Sequence, residues 1–92
     1  VAAHADLVLY DLKVIDDAIR VDDKSAFAMT RQLVAEEGIC VGPSSAMALV
    51  AAIEYSKKLT KPSNILVMFP DSGRGYLSKA FNDQWMKENG LL

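Results

Sequence analysis

The sequence holds one cysteine, Cys40, and one histidine, His4. A single cysteine cannot build an internal disulfide framework and excludes a zinc site made of cysteines. A single histidine leaves a Ser/His/Asp triad with one candidate base, in the segment whose pattern is hardest to read. Charge of one sign is also missing: Lys plus Arg is 10, Asp plus Glu is 12, and the net charge is −2. Nothing in that balance attracts nucleic acid or an anionic membrane surface. No apolar run reaches the ~18–20 residues that cross a bilayer. The first residues lack the basic-then-apolar order of a secretory leader, so a cytoplasmic location is expected. Repeats, low-complexity runs and internal linkers are absent. What is present is 51% hydrophobic and 24% charged residues, which excludes a disordered chain. The 92 residues allow one small domain, which buries only about 60–65% of its unfolded surface.

Leu7-Val8-Leu9-Tyr10 reads as a short strand, and residues 11–20 as a strand fragment followed by a turn. The first clear helix opens at Asp22 or Asp23, whose carboxylates can accept the free N–H groups of a first turn. Ala26, Met29 and Leu33 fall on one helical stripe, and Gly38 stands where a left-handed residue ends a helix. Ile39-Cys40-Val41 reads as a short buried strand, and Cys40 as an inert core thiol. Gly42-Pro43-Ser44-Ser45 is a turn with Ser44 as the helix N-cap. Residues 46–53 are all apolar, the mark of a helix buried on every side. Ile65-Leu66-Val67-Met68-Phe69, closed by Pro70, reads as a strand covered on both faces, typical of a parallel sheet. A further helix is expected from Tyr76 to Ala80. It continues or restarts through Trp85 and Met86, which are read as packing residues, and ends at Asn89-Gly90. Lys79 is expected to pair with Asp83, four residues on.

This order of elements predicts an α/β fold, as a partial three-layer α/β/α unit. One good strand and one or two poor ones are too few for a closed sheet, so the chain is expected to be an incomplete domain. In open α/β sheets ligands sit beyond the carboxyl ends of the strands. Two loops leave strands in that direction, Gly42-Pro43-Ser44-Ser45 and Pro70-Asp71-Ser72-Gly73. Both precede expected helices, whose N-termini favour anions. The plain reading of Ser44 is a cap, and that of Ser72 a turn residue. Gly73-Arg74-Gly75 begins a dinucleotide-type glycine pattern but has Ser78 at the sixth position, and the loop is too short for a P-loop.

Three segments together resemble a known family. Glu36-Glu37-Gly38-Ile39-Cys40-Val41-Gly42-Pro43-Ser44-Ser45-Ala46 resembles the E-E-G-[ILF]-x-x-G-G-S-[SA]-G segment of fold-type II pyridoxal-phosphate enzymes. Pro70-Asp71-Ser72-Gly73-Arg74-Gly75-Tyr76-Leu77-Ser78-Lys79 resembles the P-D-S-x-x-x-Y-[LM]-[ST]-K stretch of cystathionine β-synthases, within the wider cysteine synthase family. Phe81-Asn82-Asp83-Gln84-Trp85-Met86 resembles the F-x-[DS]-x-W-M ending of the same group. The likeness spans residues 11–92 and leaves 1–10 unassigned, so residues 1–92 are expected to form a single incomplete domain.

The resemblance implies the C-terminal part of the large domain of an enzyme that uses pyridoxal 5'-phosphate for β-replacement, joining serine to homocysteine. It implies that Ser72 hydrogen-bonds the pyridine nitrogen of the cofactor, that Gly42 and the serines after it line the same side of the pocket, and that Asp71 is structural. A hydroxyl is a weak donor that leaves the ring nitrogen unprotonated, which suits β-elimination and β-replacement. The resemblance also implies an amino-acid substrate, the remainder of the catalytic domain as a partner, and a homo-oligomer. The family's Schiff-base lysine, asparagine loop and glycine-rich phosphate cradle have no counterpart in these residues. Pro43 and Met47 stand where glycine and alanine are usual. No catalytic or metal-ligating residue is therefore assigned, and the isolated chain is expected to be inactive. The alternative expectations are a free-standing, non-enzymatic α/β module that binds a partner through exposed apolar surface, and, within the family, a cysteine synthase.

Overall fold

The computed structural model describes residues 13–92. His4 and the strand expected over 7–10 lie outside the described residues. Three α-helices and one 3₁₀ turn carry the structure: α1 (Asp23–Glu37), α2 (Pro43–Ser56), the 3₁₀ turn Gly73–Tyr76 and α3 (Asp83–Glu88).

Helix α1 begins as its sequence demands. The Asp22 side chain accepts from the Ser25 N–H at 2.7 Å. That bond holds the Asp22 carboxyl below its ordinary value, with the Ser25 hydroxyl adding to it. Gly38 ends the helix at φ 67°, where a side chain would be strained. Ala26, Thr30 and Leu33 are its buried positions. Thr30 is wholly buried and satisfies its hydroxyl on the Ala26 carbonyl at 2.8 Å.

Helix α2 starts two residues earlier than expected. Gly42 is the N-cap and Pro43 the first helical residue, so Ser44 lies inside the helix and is exposed. Proline's fixed φ suits that first position, where its missing N–H costs nothing. Leu33, Val41 and Ala46 form the core between α1 and α2, with Met29, Leu49 and Phe69 packed against it. Only Pro43, Ser45 and Ala46 of α2 are buried. The expectation of a helix buried on all sides is therefore corrected: Met47 to Ala52 are half-exposed and Ile53 is exposed.

The strand expected at 65–69 is corrected in the same way. Among the described residues no β-ladder forms, and the one backbone bridge joins Val41 to Ser72 in antiparallel sense. A strand requires a neighbour to take up its N–H and C=O groups, and no other described segment pairs with 65–69. The alternation of a strand is nonetheless visible. Leu66 is 91% and Met68 70% exposed. Phe69 packs on the core, and Val67 shares a hollow with Leu49, Ala52 and Ile53. Residues 39–41 likewise form no buried strand, since Ile39 and Cys40 are exposed and only Val41 is buried. The described residues are mostly helical, with one face of the extended segment 65–69 laid on α2.

The C-terminal segment returns to α1. Asn82 caps α3 by accepting from the Trp85 N–H at 3.0 Å. The helix expected over 76–80 is instead the end of the 3₁₀ turn followed by further turns, and α3 is a fresh start. Trp85 and Phe27 rings lie 5.5 Å apart, tilted by 35°, and Met86 is buried. Asp83 pairs with Arg31 of α1 rather than with Lys79. That hydrogen bond and the guanidinium charge behind it lower the Asp83 carboxyl. A lowered carboxyl contributes stability above the ordinary aspartate range of about 4 and loses it as pH falls through and below that range. Asp83→Asn should therefore weaken the docking of α3 at neutral pH. The difference from the parent should close below about pH 4, read from Trp85 emission across a pH series.

Candidate functional site

The two loops singled out by their composition meet. Ser45 and Asp71, 26 positions apart in sequence, are joined through the Ser45 hydroxyl. Ser45, wholly buried on the first turn of α2, places its hydroxyl 2.5 Å from Asp71 Oδ1. The same oxygen lies 3.4 Å from the Asp71 backbone N–H. A serine hydroxyl donates once and can also accept, so it gives its proton to the carboxylate and receives the Asp71 N–H. The carboxylate thus lies beside the first turn of α2.

The same carboxylate explains Gly42. A Cβ on Gly42 would fall 2.7 Å from Asp71 Cγ and Oδ1, well inside contact distance. The missing side chain makes room for Asp71. Gly73 is pinned on the other side of Ser72. Its N–H donates to the Cys40 carbonyl at 3.1 Å. A Cβ on Gly73 would lie 2.5 Å from Cys40 Sγ and 2.8 Å from the Val41 oxygen. Cys40 is consequently an exposed thiol set against the loop, not a core residue.

Ser72 sits between these two anchors. It is exposed and precedes the 3₁₀ turn, and its Oγ accepts from the Arg74 N–H at 3.3 Å. Acceptance leaves the hydroxyl proton available for an outside acceptor. The sequence candidates are Ser72 and Gly42, with Asp71 read as structural. The clamp from Ser45 is not among them, because a contact across 26 residues leaves no local signal. A groove of about 490 Å³ lies elsewhere, between α2 and 66–68, lined by Ala48, Ala51, Tyr55, Leu66 and Met68 among others. Its lining is mixed, with Asp16 and Asp17 beside the apolar residues, and it lacks Ser72. Among the described residues, no helix is long and apolar enough to cross a membrane.

The chain is similar to known proteins over most of its length. The model of the family described as "Pyridoxal-phosphate dependent enzyme" matches residues 2–71. Cystathionine beta-synthase of Dictyostelium discoideum is 41% identical over 80 residues, covering 87% of this chain and 16% of that protein. The enzyme of that name from Saccharomyces cerevisiae is 43% identical over 84 residues, covering 88% and 17%. A probable cysteine synthase of Bacillus subtilis is 46% identical over 72 residues, covering 78% and 22%. Among solved structures, a variant of O-ureido-L-serine synthase with O-ureido-L-serine bound superposes with a TM-score of 0.73 at 31% identity. That match covers 88% of this chain and 28% of the other. The chain thus spans about a sixth to a fifth of the length of these curated relatives. With the ordered motifs and the paired loops, these matches place the chain in the family of pyridoxal-phosphate dependent enzymes.

Proposed function

We propose that this chain is the C-terminal part of the catalytic domain of a β-replacement enzyme of the cystathionine β-synthase kind. The complete enzyme joins serine, or an activated serine, to a thiol such as homocysteine. One observation carries the reading: an exposed serine hydroxyl with an available proton, held between two anchored neighbours. Those residues fit the cofactor. Ser72 can donate to the pyridine nitrogen, and Gly42 acts behind it by admitting the Asp71 carboxylate that holds the loop. When bound, pyridoxal phosphate supplies an electron sink for negative charge that develops at the substrate α-carbon. The part played by Ser72 is modest and specific. A neutral hydroxyl orients the ring without forcing a proton onto its nitrogen, so the sink stays shallow enough to favour β-exchange.

The uncovered face supports the incomplete-domain reading over a free-standing module. Leu66 and Met68 are far more exposed than a finished surface of this size tolerates side by side. As an isolated chain the protein is expected to self-associate in sedimentation and to bind an apolar dye. It is also expected to show no saturable, borohydride-reducible attachment of pyridoxal phosphate to a lysine. A dye-silent, cooperatively folding monomer would favour the module. Stoichiometric reductive trapping at one lysine would contradict the proposed inactivity.

A further inference from the structure

We infer that Ser45 and Asp71 are positioning residues for the pyridine nitrogen contact, acting through Ser72; this rests on the reading of Ser72 given above. Ser72 has no strong hold of its own, since its single side-chain bond is 3.3 Å long. Its direction is set by its neighbours. Gly73 is fixed by the bond to the Cys40 carbonyl. Asp71 is fixed by the wholly buried Ser45, which contacts both its carboxylate and its N–H. Ser45 in turn sits on the first turn of α2, next to Ala46 of the α1–α2 core and behind Pro43. The path therefore runs from the rigid helical core, through one hydroxyl and one carboxylate, to the residue beside Ser72. Gly42 belongs to the same device, because any side chain there would push the carboxylate off Ser45. Neither Ser45 nor Asp71 needs to touch the cofactor to govern where the Ser72 hydroxyl points.

The test uses the complete enzyme loaded with pyridoxal phosphate. Ser45→Ala removes both contacts for the loss of one oxygen. It should weaken cofactor binding several-fold, by no more than removal of the Ser72 hydroxyl itself, and shift the cofactor's absorption. Amide hydrogen exchange over 71–76 should quicken by about the same factor, with the interiors of α1 and α2 unchanged. Asp71→Ala should match it, and Asp71→Asn, which keeps an oxygen for the Ser45 hydroxyl, should recover most of the affinity. If Ser72→Ala alters the cofactor spectrum but Ser45→Ala leaves spectrum and affinity as they were, the positioning role is overturned while Ser72 keeps its place. Equal quickening of exchange throughout α1 and α2 also overturns it, since Ser45 is then a general packing residue. If Ser72→Ala leaves the spectrum unchanged, the reading of Ser72 falls and takes the positioning role with it.

Discussion

Ser72→Ala in the complete enzyme should lower turnover about ten- to a hundredfold and weaken pyridoxal phosphate binding several-fold, with the fold retained. The size follows from the kind of bond removed. A hydrogen bond between neutral partners contributes about 0.5–1.5 kcal/mol net, and more as the acceptor gains charge. Negative charge reaching the ring in the transition state makes its nitrogen a better acceptor, so the loss should fall more on kcat than on ground-state affinity. Fold should survive because Ser72 is exposed and gives up only a 3.3 Å contact to the Arg74 N–H. Cofactor titration and steady-state kinetics on the same preparation check both halves. Ser72→Asp makes a useful contrast, since a carboxylate would favour a protonated ring and should change the spectrum in the opposite sense.

Gly42→Ala should be strongly damaging for a change of one methyl group. The new carbon would overlap the Asp71 carboxylate, and the carboxylate cannot swing aside without leaving Ser45. Overpacking of this kind costs about 1–3 kcal/mol. Because the clash has one named partner, a double-mutant cycle isolates it. In an Asp71→Ala background the same methyl should cost little, so the two changes should be strongly non-additive in denaturant unfolding. Additive costs would mean that Gly42 is required for its backbone alone, which its φ of −76° does not suggest.

The helices were legible because their signals are local. The Asp22 carboxylate, the Ala26–Met29–Leu33 stripe and Gly38 lie within one α1 and set its start, face and end. The start of α3 at Asn82 was not read, because the segment was expected to continue or restart a helix already open at Tyr76. The start of α2 was read two residues late because Ser44 is a good cap in isolation, whereas the Gly42-Pro43 pair already sets the turn. Residues 65–69 carry the composition and alternation of a strand, and the structure shows the alternation without the ladder. Composition reports what a segment prefers, but pairing depends on what runs beside it. Side-chain partners across the chain were the least visible. Lys79 looked like the partner of Asp83 by spacing, and Arg31, 52 residues away, holds it instead. The Ser45–Asp71 clamp belongs to the same class, which is why its two loops were recognised as candidate site loops before their connection was seen.

The central claim concerns one hydrogen bond, so it is best tested at its acceptor. Pyridoxal phosphate labelled with nitrogen-15 in the ring, bound to the complete enzyme, reports the state of that nitrogen directly by NMR. The account predicts a resonance between those of a free pyridine and a pyridinium, as for an unprotonated nitrogen accepting a hydrogen bond, moving toward free pyridine in Ser72→Ala. A pyridinium resonance, or one that ignores the loss of the Ser72 hydroxyl, would contradict it.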